Sequence, residues 1–267
     1  MNAALPSRPW PELPVDAARS VRGVLTDIDD TLTTAGAITG DALRALHDLQ
    51  AAGLPVIAIT GRPMGWSEPF ARQWPIAAIV AENGAVALFR EGAELRIEYA
   101  QEAATREHNA RRLREVAARV LREVPGATLA QDSAGRVTDI AVDHGEFAQL
   151  DAARIAQVVA LMQEEGMTAT VSSIHINGWF GEHTKLSGAR WIVQRLLSRT
   201  LDAEREHWVY VGDSTNDQLM FEHFPLSVGV ANLLHFRDQL HTWPAYLTVG
   251  ERGQGFAQVA QALLAVR

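Results

Sequence analysis

The 267 residues suffice for one large domain or two modest ones, and 47% hydrophobic with 21% charged residues is the balance of a globular protein with a sizeable core. The absence of cysteine excludes disulfides and thiolate metal sites and fits a reducing, cytoplasmic setting. A formal net charge of −8 argues against nucleic acid as a partner, and no apolar run approaches the roughly 20 residues a membrane span needs.

Met1 to Ser20 carries four of the eleven prolines and no continuous apolar segment, so it is expected as an extended tail and not a signal peptide. Val21 to Thr26 is a short apolar run ending in acids, which suits a buried parallel strand. Thr39 to Ala52 reads as a helix, with Leu43, Leu46 and Leu49 on one face and Gly53 as its stop. Leu54 to Thr60 and Ile76 to Ala81 are two further buried strands, closed by Gly61-Arg62-Pro63 and Glu82-Asn83-Gly84. Strands alternating with helices predict a parallel α/β sheet.

The pattern then changes. Ala85 to Tyr99 reads as a hairpin, Gln101 to Val124 as a long charged helix with Leu113, Val116, Val120 and Val124 inward, and Thr128 to Val142 as a second hairpin turning at Ser133-Ala134-Gly135. Ala152 to Glu165 is a helix and Thr168 to Ile176 one strand. This α+β module is expected as an insertion, residues 85–184, into a sheet domain made of 21–84 and 185–267. The sheet pattern resumes with a helix over Leu186 to Leu201, a strand over Trp208 to Gly212, a helix from Ser214 to Phe221, short strands at Leu226 to Val230 and Ala245 to Val249, and a closing helix over Phe256 to Val266.

Two acidic clusters follow predicted strands. Asp27-Ile28-Asp29-Asp30-Thr31-Leu32 leaves the first strand, where an open parallel sheet places its ligands. Asp27 and Asp29 alternate, so both can face one site. Gly212-Asp213-Ser214-Thr215-Asn216-Asp217 leaves a later strand, with Asp217 in the first turn of the next helix. Crowded carboxylates are costly without a cation, and hard oxygen ligands of this kind suit Mg²⁺. Thr60 and Gly61 at the second strand end can hold a phosphoryl oxygen, and Lys185 can offset the charge that builds when carboxylate meets phosphate. His175, Asn177 and Trp179 alternate along a strand and are candidates to line the mouth of the cleft, where an aromatic ring and an amide suit a sugar.

These pieces, in this order, resemble the haloacid dehalogenase superfamily of phosphohydrolases: D-x-D-x-T-L at Asp27, the threonine motif at Thr60, the lysine motif at Lys185 and G-D-x-x-N-D at Gly212. Glu82-Asn83-Gly84-Ala85 and the position of the insertion resemble the subgroup with an α/β cap, type IIB, which includes sugar-phosphate phosphatases and phosphomannomutases. The resemblance implies a Rossmann-like core with an inserted α+β cap. It implies Asp27 as nucleophile, Asp29 as acid and base, and Mg²⁺ held by Asp27, Asp29 (through its carbonyl), Asp213 and Asp217. Thr60, Gly61, Lys185 and Asn216 would cradle the phosphoryl group, with Arg62 against the substrate. His183-Thr184 before Lys185 departs from the residues relatives often carry there. The implied partner is a small phosphorylated metabolite, and the expected assembly a monomer or homodimer. A phosphosugar mutase is the alternative. A phospho-acceptor signalling domain fits worse, since such domains accept phosphate on a later strand. No Gly-x-Gly-x-x-Gly follows the first strand, which sets a dinucleotide-binding enzyme aside.

Overall fold

The computed structural model describes residues 6–267. Strands β1 (Gly23–Thr26), β2 (Val56–Ile59) and β3 (Ala78–Ala81) are buried throughout. Helix α1 (Gly40–Ala51) joins the first two and α2 (Met64–Gln73) the second and third. Strands β4 (Val86–Glu91) and β5 (Glu94–Tyr99) follow as a hairpin. The inserted module holds α3 (Ala103–Glu123), β6 (Asp139–Asp143), α4 (Ala152–Glu164), β7 (Thr168–Val171) and β8 (His175–Trp179). The chain returns through α5 (Lys185–Leu197), β9 (Trp208–Gly212), α6 (Gln218–His223), β10 (Leu226–Gly229), β11 (Tyr246–Leu247) and α7 (Arg252–Leu264).

One sheet runs in the order Arg8–Pro9, β11, β10, β9, β1, β2, β3, β4, β5. All of it is parallel except the β4–β5 hairpin. Such a sheet needs cover on both faces. Val24, Val56 and Ala58 point to one face, under Leu46 and Leu49 of α1 and Phe256 and Leu263 of α7. Leu25, Ile57 and Ile59 point to the other, under Ile192 and Val193 of α5 and Phe221 of α6. Acidic loops at the ends of β1 and β9 are neighbours because those two strands pair directly, Val211 opposite Thr26.

The second sheet is antiparallel, β7-β8-β6 and then Thr128–Leu129. Leu113, Val116 and Val120 of α3 and Val158, Leu161 and Met162 of α4 pack on Val142 and Ile176 from this sheet. The inserted module therefore has a core of its own. The Rossmann-like sheet with an inserted α+β cap is the observed architecture.

Several boundaries differ from expectation. The hairpin over 85–99 belongs to the central sheet, because β4 pairs antiparallel with β3, so the cap begins after Tyr99 instead of at 85. The N-terminal stretch is not an extended tail over its described part. Arg8–Pro9 pairs with β11, Trp10 is 1% exposed against Tyr246, and Val15–Ser20 is a short helix; burial of one tryptophan ring is enough to anchor it. Met1 to Leu5 lie outside the described residues. The single strand expected over 168–176 is two strands, β7 and β8, folded back at Ser172–Ile174. The hairpin expected over 128–142 pairs only at its open end, Leu129 with Val142, and its middle departs as a loop with a turn at Ser133–Gly135. That loop reaches the site.

Candidate active site

Asp27 directly follows β1, and its N–H donates to the Val211 carbonyl of β9 at 2.9 Å. This contact carries the sheet pairing one residue past the strand end. Asp213 and Asp217 arrive from β9. Asp217 folds back so that its Oδ2 accepts the N–H groups of Asp213 (2.9 Å) and Ser214 (3.2 Å). A Cβ at Gly212 would lie 2.5 Å from that same oxygen, so glycine is required there. The sequence thus supplies, in six residues, both the carboxylate and the gap it fills.

Asp27, Asp213 and Asp217 each offer an oxygen within 4.8 Å of the others, and all three are buried. Lys185 lies among them. Its Nζ donates to Asp27 Oδ1 and Asp217 Oδ1, each at 2.8 Å, and reaches Asn216 Oδ1 at 3.4 Å. Burial opposes its charge, but Asp217 and Asp27 outweigh it and hold the lysine pKa above the ordinary value. Lys185 is delivered by α5, whose first turn Thr184 and Ser187 close reciprocally. Gly84 admits this helix start: its φ is +110°, and a Cβ there would meet the Thr184 carbonyl at 2.1 Å.

One lysine does not balance three carboxylates. Burial pushes Asp27 up to about 7 against the pull of Lys185. Burial, with Asp27 and Asp217 adding to it, drives Asp213 well above the usual range. Asp213 has weak support for its charge, an Asn232 amide at 3.1 Å and the Thr31 hydroxyl at 3.4 Å. A buried cluster short of positive charge with free carboxylate oxygens fits a divalent cation. Asp217 is the most fully satisfied of the three, since the buried Tyr210 hydroxyl also donates to its Oδ1.

The Asp29 side chain stands outside this cluster. Arg62 holds it with Nε 3.0 Å from both oxygens and Nη2 2.9 Å from Oδ1. The same guanidinium donates to Asp132 (3.2 Å) and Glu146 (2.8 Å) of the cap and lies 5.0 Å from the Trp66 ring centroid. The Thr60 hydroxyl accepts the Arg62 N–H at 3.0 Å. Gly61 is covered by the cap: its carbonyl accepts from Arg136 Nη1 (2.9 Å) and Asn177 Nδ2 (3.3 Å).

The structure thus brings together Asp27, Asp213, Asp217, Lys185 and Asn216, with Asp29, Thr60, Gly61 and Arg62 beside them. His175 and Asn177 reach the space over Asp27 from β8, together with Ser172 and Ile174. Trp179 does not. It is 1% exposed, stacks on His183 at 5.4 Å and donates its Nε1–H to the His183 carbonyl. A strand's alternation put it on the same face, but that face has left the cleft by the strand's end.

The residues that sequence reasoning missed are mostly partners of charge. Asp132, Glu146 and Arg136 sit on cap loops without periodicity. Glu82, fully buried, accepts the N–H groups of Met64, Val137 and Thr138 and thereby joins core to cap. Only Tyr210 carried a signal, a polar group inside an otherwise apolar strand.

A family model described as haloacid dehalogenase-like hydrolase matches residues 24–112. No curated protein sequence gives a significant match. Among solved structures, the chain is similar to a Thermoplasma acidophilum protein at 14% identity and TM-score 0.70, covering 92% of this chain and 99% of that one. The C-terminal domain of C. albicans trehalose-6-phosphate phosphatase gives 16% identity and TM-score 0.67, with 99% of each chain covered. Sucrose-phosphatase from Synechocystis, solved with sucrose and phosphate, gives 16% identity and TM-score 0.64 over 91% of this chain and 98% of that one. At these identities the structural likeness is one of fold. No helix among the described residues is long and apolar enough to cross a membrane. The matched segment, which carries Asp27, Thr60 and Arg62, is similar to the haloacid dehalogenase-like hydrolases, and the whole chain shares the fold of these solved structures.

Proposed function

We propose that this protein is a Mg²⁺-dependent phosphatase that cleaves a small phosphate monoester of the sugar class through an aspartyl-phosphate on Asp27. The carrying observation is the meeting of Asp27, Asp213 and Asp217 oxygens within 4.8 Å around a single lysine. The sugar class is suggested by the fold shared with phosphatases whose names specify sucrose phosphate and trehalose 6-phosphate chemistry.

In this reading Asp27, Asp213 and the Asp29 carbonyl would hold the cation, with Asp217 supporting them and Lys185. The bound ion would supply a Lewis acid that offsets the charge of the phosphoryl oxygens. An Asp27 carboxylate oxygen attacks phosphorus, the bond from phosphorus to the ester oxygen breaks, and the departing alcohol takes a proton from Asp29. Asp29, again a carboxylate, then takes a proton from water. The resulting hydroxide attacks phosphorus, the bond to Asp27 breaks, and inorganic phosphate leaves. Splitting the hydrolysis in this way replaces one difficult displacement by two easier ones, the second with a carboxylate as leaving group. Lys185 favours the ionised form of Asp27 against its burial. Thr60, the Gly61 backbone and Asn216 fix the phosphoryl oxygens. Arg62 sets the rotamer of Asp29, and its two other carboxylate partners come from the cap, so cap docking and the placing of Asp29 are coupled.

The space over Asp27 is only about 10 Å³, closed by Ser172, Ile174, His175 and Asn177. That is room for about one water. The described state is therefore the closed one, and substrate entry requires the cap to lift. Release of phosphate from p-nitrophenyl phosphate tests the proposal. Turnover is expected with Mg²⁺ and should stop with EDTA. Equal turnover in chelator would remove the metal from the reaction.

A further inference from the structure

A second cavity of about 360 Å³ opens beside the closed space over Asp27, and the two share Asp29, Arg62 and Ile174. It lies between the core turn at Thr33–Gly36 and the cap loop at Gly145–Phe147, with Asp30 and Arg252 on its wall. Its size is at the lower end for small-molecule sites. Asp29 borders both spaces, so a phosphoryl group over Asp27 would send its leaving oxygen past Asp29 into this cavity.

The cap loop is built to present side chains here. The buried Asp143 carboxylate accepts four consecutive backbone N–H groups, those of Gly145 (3.1 Å), Glu146 (2.9 Å), Phe147 (2.9 Å) and Ala148 (3.2 Å). A loop pinned in this way loses little further freedom when it meets a ligand. Yet Phe147 on it is 65% exposed, a large apolar side chain left uncovered.

The charges of the cavity are already paired. Arg62 is committed to Asp29, Asp132 and Glu146. Arg252 is paired with Asp30 through its Nε at 2.8 Å. These are the two basic residues of the lining, against the carboxylates of Asp29, Asp30 and Glu146. Burial works against the Glu146 charge, but hydrogen bonds from His175 and Arg62 outweigh it and hold the carboxyl down to about 2. A second anionic group on the substrate would thus enter a net-negative space with no unpaired cation, at the cost of an uncompensated charge. Hydroxyl groups, in contrast, can donate to the carboxylates of Asp30 and Glu146 and exchange with the hydroxyl of Thr34, while the apolar face of a ring rests on Phe147.

Building on the phosphatase reading, we propose that this cavity is the leaving-group site, that it takes an uncharged polyhydroxyl group, and that Glu146 and Phe147 set this selectivity. The site rejects a substrate with a second phosphate or carboxylate.

The test compares kcat/KM for glucose 1-phosphate, glucose 6-phosphate and other neutral hexose phosphates with that for glucuronic acid 1-phosphate, which keeps the ring and adds a carboxylate, and uses acetyl phosphate as a reference without a ring. The neutral substrates should be preferred by at least about tenfold, a modest return for one uncompensated charge. Glu146→Gln should narrow that ratio by several-fold, and Phe147→Ala should lower the ratio of glucose 6-phosphate to acetyl phosphate. A ratio at or below one for the neutral against the anionic hexose, or hydrolysis of acetyl phosphate with no turnover of any neutral hexose phosphate, would overturn the selectivity proposal and leave the phosphatase reading standing. Failure to release phosphate from acetyl phosphate as well would defeat both.

Discussion

At the scale of single residues, His183 shows how the fold loads a strained group next to its chemistry. It sits two residues before Lys185, stacked on Trp179, with its Nε2 buried and without a hydrogen-bond partner. Burial alone pushes its pKa down to about 4. A histidine whose folded pKa is depressed is protonated first in the unfolded chain. Its penalty is therefore absent above the unfolded value of 6.5 and grows as pH falls toward 4, where the folded form also takes the proton. Over that window the native state should lose on the order of 3 kcal/mol from this group. His183→Phe keeps a ring against Trp179 and removes the titration. Urea unfolding midpoints measured between pH 6.5 and pH 4 should fall less for the variant than for the wild type. Parallel curves for the two proteins would show that His183 does not carry the acid sensitivity.

At the scale of elements, the sheet delivers the site and the loops deliver its closure. β1 and β9 are adjacent and parallel, so two acidic loops separated by more than half of the chain end side by side. The cap is fastened over them by a few buried polar contacts. Glu82, in the short turn after β3, takes the Met64 N–H at 3.0 Å from the core side and the Val137 and Thr138 N–H groups at 3.1 and 2.6 Å from the cap side. The Thr215 hydroxyl donates to the Val171 carbonyl of β7 at 2.7 Å, a further tie between core and cap. Buried acceptors with several donors are costly to disturb. Glu82→Gln replaces one acceptor oxygen by a donor that faces donors. It should cost about 1–3 kcal/mol and speed amide exchange at Val137 and Thr138 more than elsewhere. Unchanged exchange at those two amides would mean that the cap is held by other contacts.

For the molecule as a whole, what could be read in advance follows from locality. Asp27, Asp29, Thr60, Lys185, Asp213 and Asp217 were legible because each stands in a short run of matching residue types at a strand end or helix start. The parallel sheet was legible because fully buried strands read as continuous apolar runs. The helix Met64–Gln73 was not, since Pro69 lies inside it, although Trp66, Phe70 and Trp74 stand four apart and pack ring on ring. The fold-back between β7 and β8 was not, because Ser172-Ser173 turns without glycine or proline. The cap's acids were not, because Asp132 and Glu146 reach Arg62 across 70 and 84 residues and belong to no repeat. The site is therefore half local and half assembled by docking, and the assembled half is the one that shapes the leaving-group cavity.

All of this depends on an Asp27 oxygen being the group that attacks phosphorus. The Asp29→Asn variant, given p-nitrophenyl phosphate and Mg²⁺ and quenched in acid, isolates that step, since this leaving group needs no proton and the variant lacks the base for the second attack. Peptide mapping by mass spectrometry should find a phosphoryl group on the peptide that contains Asp27, approaching one per chain. Phosphate release with no adduct, or an adduct on any other peptide, would contradict the account.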